Sequence, residues 1–298
     1  MPNTASARPV STVVPAHRQL EGAGFGVYRP FPSRGLDLLD PFLLLDEMEP
    51  VVHAPGQAKG APDHPHRGFE TVTYMIDGEF EHADSMGNRG VIGPGDIQWM
   101  TAGDGVIHSE MPSLRIQTEG GRVHGFQIWV NLPAADKRTP PRYQSLRASE
   151  LGRAEGTGWT ARVIAGSMLD ADGPATTHTP IGCAHVTIQP GASVSIDVPD
   201  EHHAGIYAFG GRGAVGPAGT PLPLRHLAVF DRVPGTLEAT VPTDSAVPLD
   251  VLVLTGRPLD EPVARYGPFV MNTRQELIEA FDDYENGRMG SIAPAGRV

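Results

Sequence analysis

Cysteine is almost absent from this chain of 298 residues. Its single cysteine, Cys183, cannot form an intrachain disulfide, so no disulfide framework supports the fold. The flanking Gly182 and Ala184 carry no charge that would activate a thiol, and we predict that Cys183 is a small buried residue. Any metal site must therefore use histidine and carboxylate side chains.

Positive charge is also scarce. Lys59 and Lys137 are the only lysines, the formal net charge is −12, and no run of Lys and Arg interrupts that background. Such a chain lacks the electrostatic attraction that holds nucleic acid or an anionic membrane surface, so we expect neither as a partner. The segment Met1–Leu20 has no apolar core of the length that a secretory signal requires, which predicts a cytoplasmic protein.

Long helical patterns are missing as well. The 36 glycines and 29 prolines interrupt the chain too often for long helices. Short alternating runs lie between turn signals, as in Phe69–Ile76 before the Asp77-Gly78 pair, and this pattern predicts an all-β sandwich or barrel. One C-terminal helix is expected, because Thr273 and Glu276 form a capping box ahead of an apolar stripe.

The chain length favours two domains. We predict an N-terminal metal-binding domain over residues 1–132, a proline-rich linker over 133–142, and a C-terminal domain over 143–298 that ends in the helix. The second domain repeats the strand and corner pattern of the first without its histidine pairs. His202 and His203 are adjacent, so on an extended chain they point to opposite faces. We expect solvated loop residues there, with a weak adventitious metal site as the alternative.

Two short motifs carry the chemistry. His64 and His66, and separately His108 and Glu110, have the i, i+2 spacing that places both side chains on one face of a strand. Pro65 favours extended geometry at His64 and argues against a helix. Three imidazoles and one carboxylate suit Fe, Mn, Ni, Cu or Zn. A six-coordinate ion would keep two positions for water, substrate or dioxygen.

Polar residues near these motifs have several possible roles. Glu70 has the strand parity of the first histidine pair, so it is either a barrel-lining carboxylate, a partner of a ligand or a general base. Asp63 and Arg67 are expected to form an orienting ion pair. His82 and His124 are expected to be structural, with lining of the cavity as the alternative.

Four motifs lie within a region from about Gly26 to Phe281: Asp63-His64-Pro65-His66-Arg67-Gly68-Phe69-Glu70-Thr71, Pro94-Gly95-Asp96-Ile97-Gln98-Trp99-Met100-Thr101-Ala102-Gly103, His108-Ser109-Glu110-Met111-Pro112 and Gly267-Pro268-Phe269-Val270-Met271-Asn272-Thr273. In their order and spacing, these motifs resemble those of the pirin family of the cupin superfamily. The resemblance implies an all-β bicupin, in which two facing β-barrels of the double-stranded β-helix type are followed by a short C-terminal helix. It also implies a C-terminal extension that returns to the first domain.

The resemblance also implies a metal and an activity. The family's metal, usually iron, is held by three histidines and one glutamate, which correspond here to His64, His66, His108 and Glu110. Some pirins open quercetin with dioxygen and release carbon monoxide, and others act as iron-dependent partners of transcription factors or metabolic enzymes. We therefore expect an Fe(II) enzyme resembling quercetin 2,3-dioxygenase, with dioxygen and a flavonol-like molecule as substrates and Glu70 and Glu110 as candidate catalytic carboxylates. Mn, Ni, Cu or Zn are alternative metals, and the alternative function is an iron-dependent regulator with a protein partner.

Overall fold

The regular secondary structure of the described chain is almost entirely β-strand. The computed structural model describes residues 6–294. Short turns and loops join the strands, as the glycine and proline content requires, and the all-β prediction is confirmed. No helix within residues 6–294 is long and apolar enough to cross a membrane.

The secondary-structure elements follow one another in two halves of the described chain. The first half contains β1 (Val10–Pro15), β2 (His17–Glu21), β3 (Phe25–Phe31), β4 (Phe42–His53), β5 (Ala61–His66), β6 (Phe69–Asp77), β7 (Phe80–Asp84), β8 (Arg89–Ile92), β9 (Ile97–Thr101), β10 (Val106–Pro112), helix α1 (Leu114–Glu119), β11 (Gly121–Asn131), a 3-10 turn (Ala134–Asp136) and β12 (Arg142–Leu146). The second half contains β13 (Gly152–Gly156), β14 (Trp159–Ala165), β15 (Ser167–Met168), β16 (Ala171–Asp172), β17 (Ile181–Ile188), β18 (Ser193–Asp197), β19 (His203–Gly210), β20 (Gly213–Val215), β21 (Thr220–Leu222), β22 (His226–Phe230), β23 (Thr236–Thr240), β24 (Leu249–Gly256), β25 (Ala264–Tyr266), β26 (Phe269–Met271) and helix α2 (Arg274–Glu285).

One compact unit, which we call the first unit, carries both motifs predicted to bind a metal ion. It comprises Arg18–Tyr28, Leu44–Ala148 and the chain from Asp260 onward. Its large sheet has the strand order β12-β9-β6-β11-β4-β3-β2, and its small sheet has the order β5-β10-β7-β8. Met75 of the large sheet and Phe80 of the small sheet belong to one buried cluster, so the two sheets share a core.

The second unit has the same plan. It comprises the described chain up to His17, Arg29–Leu43 and Ser149–Leu259. Its sheets have the orders β1-β22-β19-β24-β17-β14-β13 and β18-β23-β20-β21. Aliphatic side chains from both sheets, such as Val186, Ile206 and Leu237, are fully buried in one cluster. This interior is a packed hydrophobic core built by the alternation of buried and exposed residues along each strand.

The division into units differs from the predicted domain boundaries at both ends. Strand β1 pairs with β22, so the beginning of the chain belongs to the second unit. The C-terminal residues belong to the first unit, where Arg67 forms a bridge with Phe269. The segment predicted as a linker also belongs to the first unit, because β12 pairs with β9 and the Lys137 ammonium is buried with three oxygen acceptors at 2.8 to 3.1 Å. Sequence composition could not show these long-range pairings.

Helix α2 begins where the capping box predicted. Thr273 Oγ1 accepts from the Glu276 amide, and the Glu276 carboxylate accepts from the Thr273 amide in return. Leu277 and Ala280 are buried in a cluster with Phe269 of β26. The apolar stripe therefore packs the helix onto the first unit.

Candidate metal centre

The two motifs predicted to bind a metal ion lie on paired strands of the small sheet. Strands β5 and β10 are antiparallel, and His64 lies directly opposite His108. Buried and half-buried residues alternate along β10, so His108 and Glu110 share its buried face. His66 ends β5 two residues after His64. The i, i+2 spacing within each motif and the pairing of β5 with β10 therefore place both motifs in one region of the small sheet.

The three histidine rings form a compact group. Ring centroids lie 4.7 Å apart for His64 and His66, 4.3 Å for His64 and His108, and 4.9 Å for His66 and His108. One ligand nitrogen from each residue lies within 4.8 Å of the other two. The group is a candidate triad for a metal ion.

Backbone carbonyls orient two of the rings. His64 Nδ1 lies 2.7 Å from the Pro62 carbonyl oxygen, and His66 Nδ1 lies 3.1 Å from that of Pro268. A carbonyl oxygen only accepts hydrogen bonds, so each Nδ1 carries the proton and donates it. With Nδ1 as the donor, Nε2 of each ring is the position left for a metal ion rather than for a backbone carbonyl.

His108 tests whether a metal ion fits this donor set. Its side chain is fully buried, and within residues 6–294 neither Nδ1 nor Nε2 has a hydrogen-bond partner. A buried donor or acceptor without a partner costs about 1–3 kcal/mol. A metal ion bound at one nitrogen would give the imidazole a strong interaction where the protein supplies none, so the three histidines fit a divalent transition metal.

Burial keeps His66 and His108 neutral. Burial, reinforced by the charge of His64, lowers the pKa of His66 to about 3. Burial followed by the neighbouring charges of His66, His64 and His82 lowers the pKa of His108 well below its ordinary value. The neutral imidazole is the form that coordinates a metal ion, so no proton has to leave these rings before binding near neutral pH.

Glu110 lies near the triad but is engaged elsewhere. Its carboxylate is buried, and Oε1 accepts a hydrogen bond of 2.5 Å from Thr73 Oγ1. In the described part of the chain, the group whose ligand atoms all lie within 4.8 Å of one another consists of His64, His66 and His108. The role of Glu110 as a fourth ligand remains a prediction.

One face of β6 and β11 lines the barrel interior beside the triad. Thr73 faces inward because it contacts Glu110 on the opposite sheet. Gln127 pairs with Thr73, and Trp129 occupies the same face two residues later. Both side chains are half-buried, so solvent reaches this inner face. The Trp129 ring lies 5.2 Å from that of His66, which places an aromatic wall next to the triad.

Glu70 lies on the opposite face of β6 from Thr73, because successive residues of a strand alternate. Its Oε1 accepts from Thr101 Oγ1 at 2.7 Å and lies 3.9 Å from Arg142 Nη2. Placing Glu70 with the first histidine pair was therefore wrong. The structure favours the alternative in which this carboxylate has a structural role.

The physical reason is a break between two strands. Strand β5 ends at His66 and β6 begins at Phe69. Between them Gly68 has a φ of 88°, and a Cβ at that position would lie 1.9 Å from the Val270 carbonyl oxygen. Only glycine fits such a turn, and the turn resets the alternation of side chains. Parity cannot be counted through it.

The expected ion pair between Asp63 and Arg67 is absent. Arg67 Nη1 donates to Asp283 Oδ2 at 2.7 Å, and its Nε donates to the Asp104 carbonyl oxygen at 2.6 Å. Asp63 is exposed to solvent. Neighbours in sequence were the natural candidates, but this guanidinium is buried and its partner comes from α2.

His82 and His124 are both buried and hydrogen-bonded, as the structural interpretation expected. His82 Nε2 lies 3.2 Å from Asp84 Oδ2, and its Nδ1 lies 2.9 Å from Gln98 Nε2. Because a carboxylate only accepts and an amide nitrogen only donates, Nε2 carries the proton and Nδ1 accepts. His124 Nε2 lies 3.2 Å from Glu47 Oε1. Both residues are therefore positioned by the protein itself.

In the second unit, one prediction is confirmed and another is wrong. Cys183 is buried, and burial raises the pKa of its thiol to about 12. His202 is 6% exposed, with Nδ1 3.3 Å from Thr255 Oγ1, rather than solvated. His203 is half-buried, and its Nδ1 donates to the Asp40 carbonyl oxygen at 3.0 Å. These partners are distant in sequence, so the local pattern gave no signal for them.

Known proteins resemble this chain along almost its whole length. Residues 24–130 match the family model described as Pirin, and residues 183–290 match that described as Pirin C-terminal cupin domain. A pirin-like protein of Solanum lycopersicum is 40% identical over 284 residues, which cover 95% of this chain and 93% of the relative. The chain belongs to the pirin family. Pirin of Homo sapiens is 37% identical over 289 residues, covering 96% of this chain and 95% of that protein.

A solved structure extends the pirin comparison to three dimensions. The crystal structure of a quercetin 2,3-dioxygenase from Acinetobacter baumannii has 38% sequence identity and a TM-score of 0.89, covering 97% of this chain and 100% of that chain. The bicupin fold is thereby confirmed, with one cupin domain in each half of this pirin.

Two residues that position side chains of the candidate metal centre were not predicted from the sequence. The Pro268 carbonyl orients His66, and the Thr73 hydroxyl binds Glu110. Pro268 lies in the Gly267–Thr273 segment that contributed to the pirin resemblance, and that segment was the only sequence signal for it. Thr73 lies at an inward position of β6, but an alternating strand does not show what its threonines contact.

Proposed function

We propose that this pirin is a metal-dependent dioxygenase that opens quercetin-like flavonols with dioxygen and releases carbon monoxide. The observation that carries the proposal is the buried imidazole of His108, whose two nitrogens have no partner among the described residues, beside two rings with a free Nε2. The likeness to a solved quercetin 2,3-dioxygenase supports the choice of reaction.

We assign the metal to His64, His66, His108 and Glu110. The three imidazoles form one group, and Glu110 lies on the same buried face of β10 as His108. Fe(II) is the proposed ion, and Mn, Ni, Cu and Zn are competing candidates because neutral nitrogen ligands with one carboxylate suit all five. Binding through Glu110 would require its carboxylate to turn from the Thr73 hydroxyl.

The side chains around the triad suit an aromatic substrate. The half-buried Trp129 flanks His66 and offers an apolar surface to a planar ring, and the buried Phe69 packs against it with ring centroids 4.3 Å apart. A bound metal ion would supply Lewis acidity and redox chemistry toward substrate and dioxygen. The Glu110 carboxylate, once turned from the Thr73 hydroxyl, is proposed to accept the proton of the substrate hydroxyl.

The test is oxygen uptake coupled to carbon monoxide release on quercetin, with protein reconstituted anaerobically with Fe(II). The control is the His64→Ala, His66→Ala double variant, which should bind no metal and remain inactive. Uptake that depends on the metal and is matched by carbon monoxide supports the dioxygenase. No turnover at full iron occupancy would contradict it and favour an iron-dependent regulator that binds a protein partner.

The Glu110 assignment has its own test. Glu110→Ala is expected to lose metal and activity together, because it removes a proposed ligand and the proposed base at once. Metal content after dialysis is the direct readout. Unchanged metal content in a folded variant would remove Glu110 from the ligand set.

A further inference from the structure

A cavity in the first unit has features of a second binding site. Its volume is about 220 Å³, and it lies at β2, β3 and β4, with β2 at the edge of the large sheet. Phe25, Met48, Phe80 and Val123 contribute its apolar wall, and they pack in one hydrophobic cluster. None of the histidines of the metal centre lines this cavity. An apolar concave surface with a few polar groups is the usual form of a small-molecule site.

The charges at the cavity leave one cation without a partner. Glu49 is occupied, because Arg18 donates to both of its oxygens and the Tyr28 hydroxyl donates to Oε1 at 3.2 Å. Lys59 also lines the cavity, and within residues 6–294 its ammonium has no hydrogen bond or ion pair. The lining therefore carries one net positive charge in a chain whose net charge is −12.

Glycines let these charged groups approach the cavity wall. A Cβ on Gly24 would lie 3.3 Å from Lys59 Nζ, so the ammonium sits directly over the backbone there. A Cβ on Gly26 would lie 2.3 Å from Glu49 Oε2 and 3.1 Å from Arg18 Nη2. The ion pair between Arg18 and Glu49 therefore lies against β3, where it forms part of the cavity wall and leaves the cavity open.

We infer that this cavity binds a small aromatic monocarboxylate. The single unpaired ammonium selects one negative charge, and charge-assisted hydrogen bonds are the strong kind. The apolar wall selects a hydrocarbon body. The size limits that body to about one ring, since a cavity of roughly 150 Å³ accommodates benzene. Benzoate and phenylacetate have this combination of charge, ring and size.

The inference is tested by titrating benzoate and phenylacetate into the metal-loaded protein, followed by calorimetry and by saturation-transfer NMR. Lys59→Met keeps most of the stem and removes the charge, and it should weaken binding at least about tenfold. Arg34→Met removes an exposed cation of the second unit and is the matched control, which should bind as the wild type does. Acetate lacks the ring and benzyl alcohol lacks the charge, so both should bind at least about tenfold more weakly than benzoate.

Three results would overturn the inference. They are equal binding of benzoate by wild type and Lys59→Met, equal binding of benzyl alcohol and benzoate, and the absence of saturable binding. A carboxylate that simply coordinates the metal ion would give the first result, since Lys59 is no part of that centre. All readouts measure binding, so they stand or fall separately from the dioxygenase activity.

Discussion

Replacing His108 by leucine should stabilise the metal-free protein while it abolishes metal binding. The imidazole is fully buried, and in the described structure its two nitrogens have no hydrogen-bond partner. Leucine has a similar size and brings no polar atom. The substitution therefore removes an unfavourable burial without leaving another group unpaired, which is the condition under which deleting a polar side chain is favourable.

The magnitude follows from the two nitrogens. An unpaired buried donor or acceptor costs about 1–3 kcal/mol, so removing two of them should raise the free energy of unfolding of the metal-free protein by about 2 kcal/mol or more. The matched control is His82→Leu on the neighbouring strand. His82 is equally buried but bonded to Asp84 and Gln98, so its loss leaves both partners unpaired and should lower the free energy of unfolding by about 2 kcal/mol or more.

The assay is urea denaturation of protein freed of metal by chelation, repeated with added Ni²⁺ or Zn²⁺. At a metal concentration one hundred times the dissociation constant, the wild type should gain about 2.7 kcal/mol, and His108→Leu should gain nothing. A metal-free His108→Leu protein that is less stable than the wild type would refute the reasoning, because the imidazole would then have an interaction that a metal does not provide. Metal-dependent stabilisation that survives the substitution would refute the ligand assignment.

Three further predictions concern residues outside the triad. Glu70→Gln should retain metal and turnover within about twofold, because the amide oxygen can still accept from Thr101, and a large loss of turnover measured by oxygen uptake would return Glu70 to the reaction. In a urea titration, Lys137→Met should lower the free energy of unfolding by about 2–4 kcal/mol, since it leaves buried oxygens unpaired. The control is Lys59→Met, at the only other lysine, which should change the free energy of unfolding by less than about 0.5 kcal/mol. Burial lowers the pKa of His202. Below about pH 6.5 the unfolded chain therefore binds a proton that the folded chain excludes. The free energy of unfolding should consequently fall as the pH is lowered, by up to about 1.4 kcal/mol per pH unit. His202→Gln should flatten that part of the profile of unfolding midpoint against pH, and an unchanged profile would show that His202 is charged in the folded state.

The sequence was most informative about features that depend on residues only a few positions apart. The spacing of His108 and Glu110 gave their shared strand face, because alternation on one uninterrupted strand is local. The capping box gave the beginning of α2 for the same reason. The match of the four motifs to the pirin family supplied the bicupin fold, which periodicity alone would have left as a sandwich or a barrel.

What the sequence could not give depends on contacts between distant residues. Arg67 lies 216 positions from its partner Asp283, so pairing it with a neighbour was a natural error. His202 is buried by contacts that include Thr255, and no sequence pattern around the histidine predicts this burial. Glu70 was misplaced because a glycine turn breaks the strand before it. Tertiary packing decided the outcome for Arg67 and His202, and the local turn at Gly68 decided it for Glu70.

The contacts of the C-terminal segment with His66 and Arg67 have a consequence for the biosynthesis of the protein. His66 is oriented by Pro268, Arg67 is held by Asp283, and the Arg67 carbonyl accepts from the Val270 amide. A ribosome synthesises the histidine motifs about two hundred residues before these partners emerge. The nascent chain can therefore carry all three histidines while the carbonyl that orients His66 is still missing. If the proposed centre forms only in its final geometry, metal loading would be one of the last steps of biogenesis. A chain truncated by premature termination would lack that carbonyl, so a bound ion would then report that translation has passed Pro268.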